Sequence, residues 1–309
     1  MELEYKTKAA QGYLVDLMRT VFRWSNPVLK GWYADPELHF FDRRFWIYPT
    51  TSDVYEKQTS FRAFSSANLK DWQDAGVILD FADVPWSTTR AAWAPSCATK
   101  DGRYYFYFSA GDGAGLGVAV SDKPDGPFVD PLGRPLVSEY HCGAQPIDAH
   151  CFIDDDGHAF LYWGGWRHCV VARLSSDMLA LEGKIVELTP KNYVEGPFML
   201  KRSGLYYLMW SEGSWGDASY QIAYGRSKNP FGPFEREKSL FRPNPEIASS
   251  AGHHSVLQIP GTQDWILAYH RRPAGETDRD HRVVCLENLR FDRAGEICEI
   301  DLTDSGAVG

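Results

Sequence analysis

Beyond Asn26-Pro27 the apolar residues of this chain fall in short bursts separated by Gly, Pro, Asp and Asn. Five bursts share one form: Phe45-Trp46-Ile47-Tyr48, Tyr104-Tyr105-Phe106-Tyr107, Ala159-Phe160-Leu161-Tyr162, Tyr206-Tyr207-Leu208-Met209 and Trp265-Ile266-Leu267-Ala268. Runs this short, rich in aromatic and β-branched residues and bounded by turn formers, predict strands rather than helices. Three follow a turn, Asp101-Gly102, Asp156-Gly157 and Ser203-Gly204, and such turns mark hairpins because glycine enters the left-handed backbone at no steric cost. The runs recur every 46 to 60 residues or so, roughly what a four-stranded propeller blade needs. Later in two of the repeats come Gly126-Pro127-Phe128 and Gly232-Pro233-Phe234. The pattern predicts an all-β fold, a five-bladed β-propeller spanning residues 26–309. A pair of β-sandwiches would use similar strands but leaves a repeat of this length unexplained. Residues 1–25 stand apart as an N-terminal segment, in which the pattern from Lys8 to Arg23 admits a short helix.

The first strand of each propeller blade lines the central channel, so equivalent positions in the repeats converge. About a dozen residues before each aromatic run stand Asp35, Trp93, Asp148, Glu195 and His253. Taken singly, each is ordinary. Asp35, in Tyr33-Ala34-Asp35-Pro36, reads as a turn residue; Asp148, between apolar neighbours, reads as a paired core acid; Glu195, ahead of Gly196, reads either way. Together they are a poor choice for a core, because buried charges need partners, and a good choice for an active site. Pro36 holds Asp35 extended, and Gly196 lets another group approach the backbone closely. Asp154, Asp155 and Asp156 read as a solvated turn.

Composition narrows the function classes. The net charge of −9 and the lack of a basic run exclude the electrostatic footprint of a nucleic-acid binder. A neutral sugar is indifferent to that charge, whereas a polyanion is repelled. Aromatic content of 14% suits sugar-binding faces and propeller packing alike. The six cysteines form no Cys-x-x-Cys pair and read as free thiols, mostly buried. No run is long and apolar enough for a membrane helix, and the first residues lack a basic stretch followed by an apolar one. The expectation is a cytoplasmic protein without a membrane partner.

At these residues the sequence resembles glycoside hydrolase family 43. The resemblance is carried by Tyr33-Ala34-Asp35-Pro36, Trp93-Ala94-Pro95, Ile147-Asp148-Ala149-His150-Cys151-Phe152, Glu195-Gly196-Pro197 and Gly252-His253-His254-Ser255, in order and at propeller spacing. It implies a five-bladed β-propeller that hydrolyses arabinose- or xylose-containing glycans with inversion. It also implies that Asp35 is the base, Glu195 the acid and Asp148 the residue that raises and orients the acid. Trp93 is then an apolar wall, for which Trp32, Phe45 and Trp163 are further candidates with core packing as the default for each, and Arg282 a sugar contact. His253 would face a divalent cation, usually calcium, completed by water; the alternative for His253 is a hydrogen-bonding role within the channel. His150 and His254 read as structural. The expected fold is a single domain without the appended β-sandwich of larger relatives, its pocket closed by loops, the N-terminal segment or a neighbouring subunit of a homo-oligomer. The expected substrate is a short xylo- or arabino-oligosaccharide. β-D-Xylosidase activity is favoured over α-L-arabinofuranosidase and endo-arabinanase, and a non-catalytic sugar-binding propeller is the rival of another class.

Overall fold

Each aromatic run forms the second strand of an antiparallel sheet, where both faces are covered and strict alternation is unnecessary. The structure, a computed structural model, describes residues 20–308 apart from residue 112. The five sheets follow in chain order as blades. Blade 1 comprises Tyr33–Phe41, Arg44–Thr51, Ser60–Ser66 and Gln73–Asp80. Blade 2 has three strands, Ala92–Lys100, Arg103–Ala110 and Gly115–Ser121. Blade 3 is built from His150–Ile153, Ala159–Trp163, Val170–Leu174 and Leu181–Glu187, and blade 4 from Glu195–Arg202, Leu205–Glu212, Gln221–Ser227 and Lys238–Ser239. Blade 5 has Ala248–Gln258, Trp265–Pro273 and Val283–Leu289. No β-sandwich is appended among the described residues.

Two of the three anticipated hairpin turns are tight. Asp101-Gly102 and Ser203-Gly204 have positive φ at both residues, between the pairs Lys100–Arg103 and Arg202–Leu205. The third is longer, closed by the backbone bond from the Asp154 N–H to the His158 carbonyl.

Blades adhere through aromatic layers and tyrosine hydroxyls. Phe61, Phe106 and Phe128 pack between blades 1 and 2, with centroid separations of 5.2 Å and 5.0 Å. Tyr48 donates to the carbonyl of Pro124, Tyr107 to that of Met178 and Tyr162 to that of Pro230, each reaching a loop of the following blade. An apolar body with one paired hydroxyl suits a buried seam, because an unpaired hydroxyl there would cost about 1–3 kcal/mol.

The ring is closed by the chain ends. Ser305–Val308 pairs antiparallel with Phe22–Ser25, and Ile300–Asp301 pairs in parallel with Phe241–Arg242. The helix anticipated for Lys8–Arg23 lies largely outside the described residues, and where it enters them it is overturned. Phe22 and Trp24 are buried while Arg23 and Ser25 are exposed, so a two-residue period and a strand partner prevail.

One irregularity repeats in every blade and creates the site. At the channel end of the first strand, a residue with positive φ interrupts the ladder: Asp35, Ala94, Asp148, Gly196 and His253. In blades 1, 2, 4 and 5 the pairing register shifts at this point. Bulges of this kind re-aim side chains. The five positions anticipated from the sequence therefore fall into two classes. Asp35, Asp148 and His253 are the left-handed residues themselves, whereas Trp93 and Glu195 each stand one residue earlier. The extended conformation expected of Asp35 ahead of Pro36 is thus overturned, because the bulge sets its φ at 48°.

Candidate active site

The left-handed residues are held by their neighbours in a cyclic pattern. The residue before each bulge pairs with the inner end of the second strand: Ala34 with Thr50, Trp93 with Ser109, Glu195 with Ser211, Gly252 with His270. Blade 3 does the same through the bond from the Gly164 N–H to the Ile147 carbonyl. Side chains at these second-strand ends accept the N–H of the left-handed residue one blade on. Thr50 accepts from Ala94 at 2.7 Å, Ser109 from Asp148 at 3.0 Å, Ser211 from His253 at 3.0 Å, and His270 Nδ1 from Asp35 at 3.1 Å. Blade 3 has glycine at this position. The N–H of Gly196 donates instead to Oδ2 of Asp148 at 3.0 Å.

All six residues singled out from the sequence, Asp35, Trp93, Asp148, Glu195, His253 and Arg282, line one cavity of about 460 Å³. Tyr140, Trp166 and Trp215, from loops of blades 2 to 4, line it as well, so loops do part of the enclosing. Phe45 and Trp163 are fully buried in the core, and Trp32 stacks on His281 at 4.3 Å; none of the three belongs to the cavity lining. His150 is buried with Nε2 on the Met199 carbonyl, and His254 is buried beside Phe198. Four cysteines are buried, Cys298 is half-buried and Cys142 exposed, all as free thiols.

The carboxylates differ in surroundings. Burial pushes Asp35 up, but the positive charges of His253 and Arg282 oppose it and the group is held well below the usual carboxylate range. The contacts are His253 Nδ1 at 3.4 Å and Arg282 Nη1 at 3.6 Å from Oδ1. Burial pushes His270 down to about 4, so that ring is neutral at ordinary pH. Asp148 and Glu195 are both raised, chiefly by burial; His253 opposes in both, Glu195 and Asp35 add to the rise of Asp148, and Asp35 adds to that of Glu195 against the bond from Tyr220. Groups coupled in this way titrate as a pair, and the pair retains a proton where an isolated carboxyl would have lost it. Asp148 is fixed at both ends, by Ser109 at its N–H and by Gly196 at its carboxylate. Glu195 is longer and takes one side-chain bond, from Tyr220 at 2.8 Å.

Arg282 is set by a 2.9 Å bond from Nε to Ser52 and lies over the Trp215 ring at 5.1 Å. Trp93 donates its indole N–H to Gln58 and packs edge-on against Tyr55 at 4.9 Å.

Glycosyl hydrolases family 43, as a family description, matches residues 24–297. The chain belongs to this family, and it is a glycoside hydrolase. A curated relative, the β-D-galactofuranosidase xynD of Aspergillus niger, is 48% identical over 92% of this chain and 87% of its own. A β-xylosidase/α-arabinofuranosidase from a compost microbial metagenome, crystallised with xylotriose in a calcium-free form, superposes with a TM-score of 0.76 at 27% identity, covering 90% of this chain and 97% of the other. An α-L-arabinofuranosidase of Clostridium thermocellum gives 0.74 at 31%, over 88% and 95%.

The resemblance places a divalent cation at His253. Among the described residues no group of three or more His, Cys, Asp or Glu is arranged to hold a metal ion. What the structure offers is one imidazole within 3.4 Å of Asp35 and 3.8 Å of Asp148, in a cavity with three carboxylates. That donor set fits a hard cation held weakly, with water supplying most of its oxygens.

Sequence reasoning did not find Tyr220, His270, Gln58, Gln145 or the loop aromatics. His270 carried a signal: it ends the second strand at the repeat position occupied elsewhere by Thr50, Ser109 and Ser211. The others lie in segments without a shared period.

Proposed function

We propose that this enzyme removes terminal furanosyl residues with inversion, β-D-galactofuranose before α-L-arabinofuranose. The observation that carries this is the 48% identity to a β-D-galactofuranosidase, against 27% and 31% for the xylose- and arabinose-directed relatives. The two furanosides share their ring configuration; galactofuranose merely bears a longer exocyclic diol. The xylose expectation becomes the rival.

Residue roles follow from charge and position. Asp35, kept ionised, takes a proton from water as the water oxygen bonds to the anomeric carbon. Glu195 gives its proton to the glycosidic oxygen as that bond breaks, and the electron pair leaves with the oxygen. Asp35 ends protonated and Glu195 ionised, and exchange with solvent restores both. Inverting catalysis of this kind places the two carboxyls roughly 6.5–9.5 Å apart. Asp148 raises the acid by its charge and, through Gly196, holds the strand that carries it. Arg282 and His253 supply compensating positive charge. A divalent cation held by His253 as neutral imidazole would take the place of the imidazolium charge and order water.

The test is a panel of aryl glycosides with β-D-galactofuranose, α-L-arabinofuranose and β-D-xylose. We expect the highest kcat/KM for galactofuranose, and a clear preference for xylose would reject the furanoside assignment.

A further inference from the structure

A general acid has two oxygens and one proton, and delivery fails if the proton sits on the wrong oxygen. In this site one hydrogen bond settles the question. The hydroxyl of Tyr220 donates to Oε1 of Glu195, 2.8 Å away, so that oxygen is taken up as an acceptor.

The Tyr220 ring is not free to swing away. It lies parallel to the fully buried His270 ring, with centroids 5.6 Å apart and planes within 11°. Its other contact is Gly252, where an added Cβ would stand 2.3 Å from Tyr220 Cε1, so only glycine admits the ring here. His270 in turn receives the N–H of Asp35. The stacked pair therefore has the acid at one end and the base at the other.

We propose that Tyr220 is a positioning residue for the general acid: its hydroxyl, on a ring held by His270 and Gly252, occupies Oε1 of Glu195 and leaves Oε2 to carry and deliver the proton. The inference rests on Glu195 being the acid. Tyr220 need not touch the substrate, and it does not line the cavity.

The experiment compares two substrates on each variant: an alkyl galactofuranoside, whose leaving group needs a proton, and an aryl one with an acidic phenol, which does not. The ratio of their kcat/KM values does not depend on how much of a preparation is folded. Tyr220→Phe keeps the ring contacts and removes the hydroxyl. The expected result is a loss of about 10- to 100-fold on the alkyl substrate and under about threefold on the aryl one, the size of a hydrogen bond to a charged group. Glu195→Ala serves as the reference. If it loses both substrates equally, the acid assignment itself has failed. If Glu195→Ala spares the aryl substrate while Tyr220→Phe loses both alike, or neither, the positioning role of Tyr220 is overturned on its own.

Discussion

Asp148 stands in for the side chain that Gly164 lacks. At the other four seams a Thr, Ser or His on the second strand accepts the N–H of the next left-handed residue. At the blade 3 seam the acceptor is the Asp148 carboxylate, on the N–H of Gly196. Position 164 has no room for a substitute, since a Cβ there would lie 2.0 Å from the His168 carbonyl oxygen. The gap in the repeat thus turns a channel carboxylate toward the strand that begins with Glu195.

Asp148→Asn should separate the two roles of this residue. The amide oxygen still accepts from Gly196, so folding should be retained, but the charge proposed to raise Glu195 is gone. The Glu195 pKa then falls, and the alkaline limb of kcat/KM should move to lower pH, with activity at neutrality down about 10- to 100-fold. Asp148→Ala should in addition lower stability by about 1–3 kcal/mol, because the Gly196 N–H is left without a partner. A pH profile unchanged by Asp148→Asn would refute the acid-raising role.

Asp35→Ala and Glu195→Ala should each lose about 10²- to 10⁴-fold on natural glycosides. With an acidic phenol as leaving group, Glu195→Ala should recover most of its activity and Asp35→Ala should not. Steady-state rates on the two substrates decide the matter, and equal behaviour would exchange or abolish the roles.

The wild-type pH profile should be asymmetric. Asp35 is depressed, so it stays ionised well into the acid range and the acid limb is late. The Asp148–Glu195 pair is raised, so its proton is retained near neutrality and lost as pH climbs through the raised value, taking activity with it. Arg282→Gln removes a positive charge 3.6 Å from Asp35, raises that carboxyl and should shift the acid limb upward. A downward shift would contradict the charge argument.

Proton NMR during the first turnovers should show the product sugar with inverted anomeric configuration. Accumulation of the retained anomer, or of a glycosyl-enzyme, would mean that Asp35 attacks carbon rather than activating water.

Chelation probes His253. EDTA should lower kcat, and calcium or another divalent ion should restore it, while His253→Ala should lack the response with a small change in Tm. Metal-free enzyme that retains full activity would leave His253 with its contacts to Asp35 and Asp148 as its whole role.

The propeller and the carboxylate trio were legible because both are periodic. Phe45, Tyr104, Ala159, Tyr206 and Trp265 start recurring runs, and a recurring run fixes the phase of whatever precedes it. That the trio occupies two structural phases was not legible, since the bulge at Glu195-Gly196 is set by backbone dihedrals and pairing, not by spacing. Tyr220 and Trp215 were invisible for a different reason. They sit in the loop between Glu212 and Gln221, whose path depends on contacts with Gly252, Arg279 and Arg282 more than two dozen residues away in sequence. Phe45 and Trp163 follow their default reading: aromatic character on a repeat strand marked core, not wall.

The pairing of Phe22–Ser25 with Ser305–Val308 has a consequence for biosynthesis. These partners lie at opposite ends of the described chain, so the last of them leaves the ribosome after every blade has been made. Blades can form one by one from their own hairpins, but until then they make an open arc whose edge is unsealed and prone to pair elsewhere. The enzyme therefore passes through its most aggregation-prone stage just before Ser305–Val308 becomes free to pair.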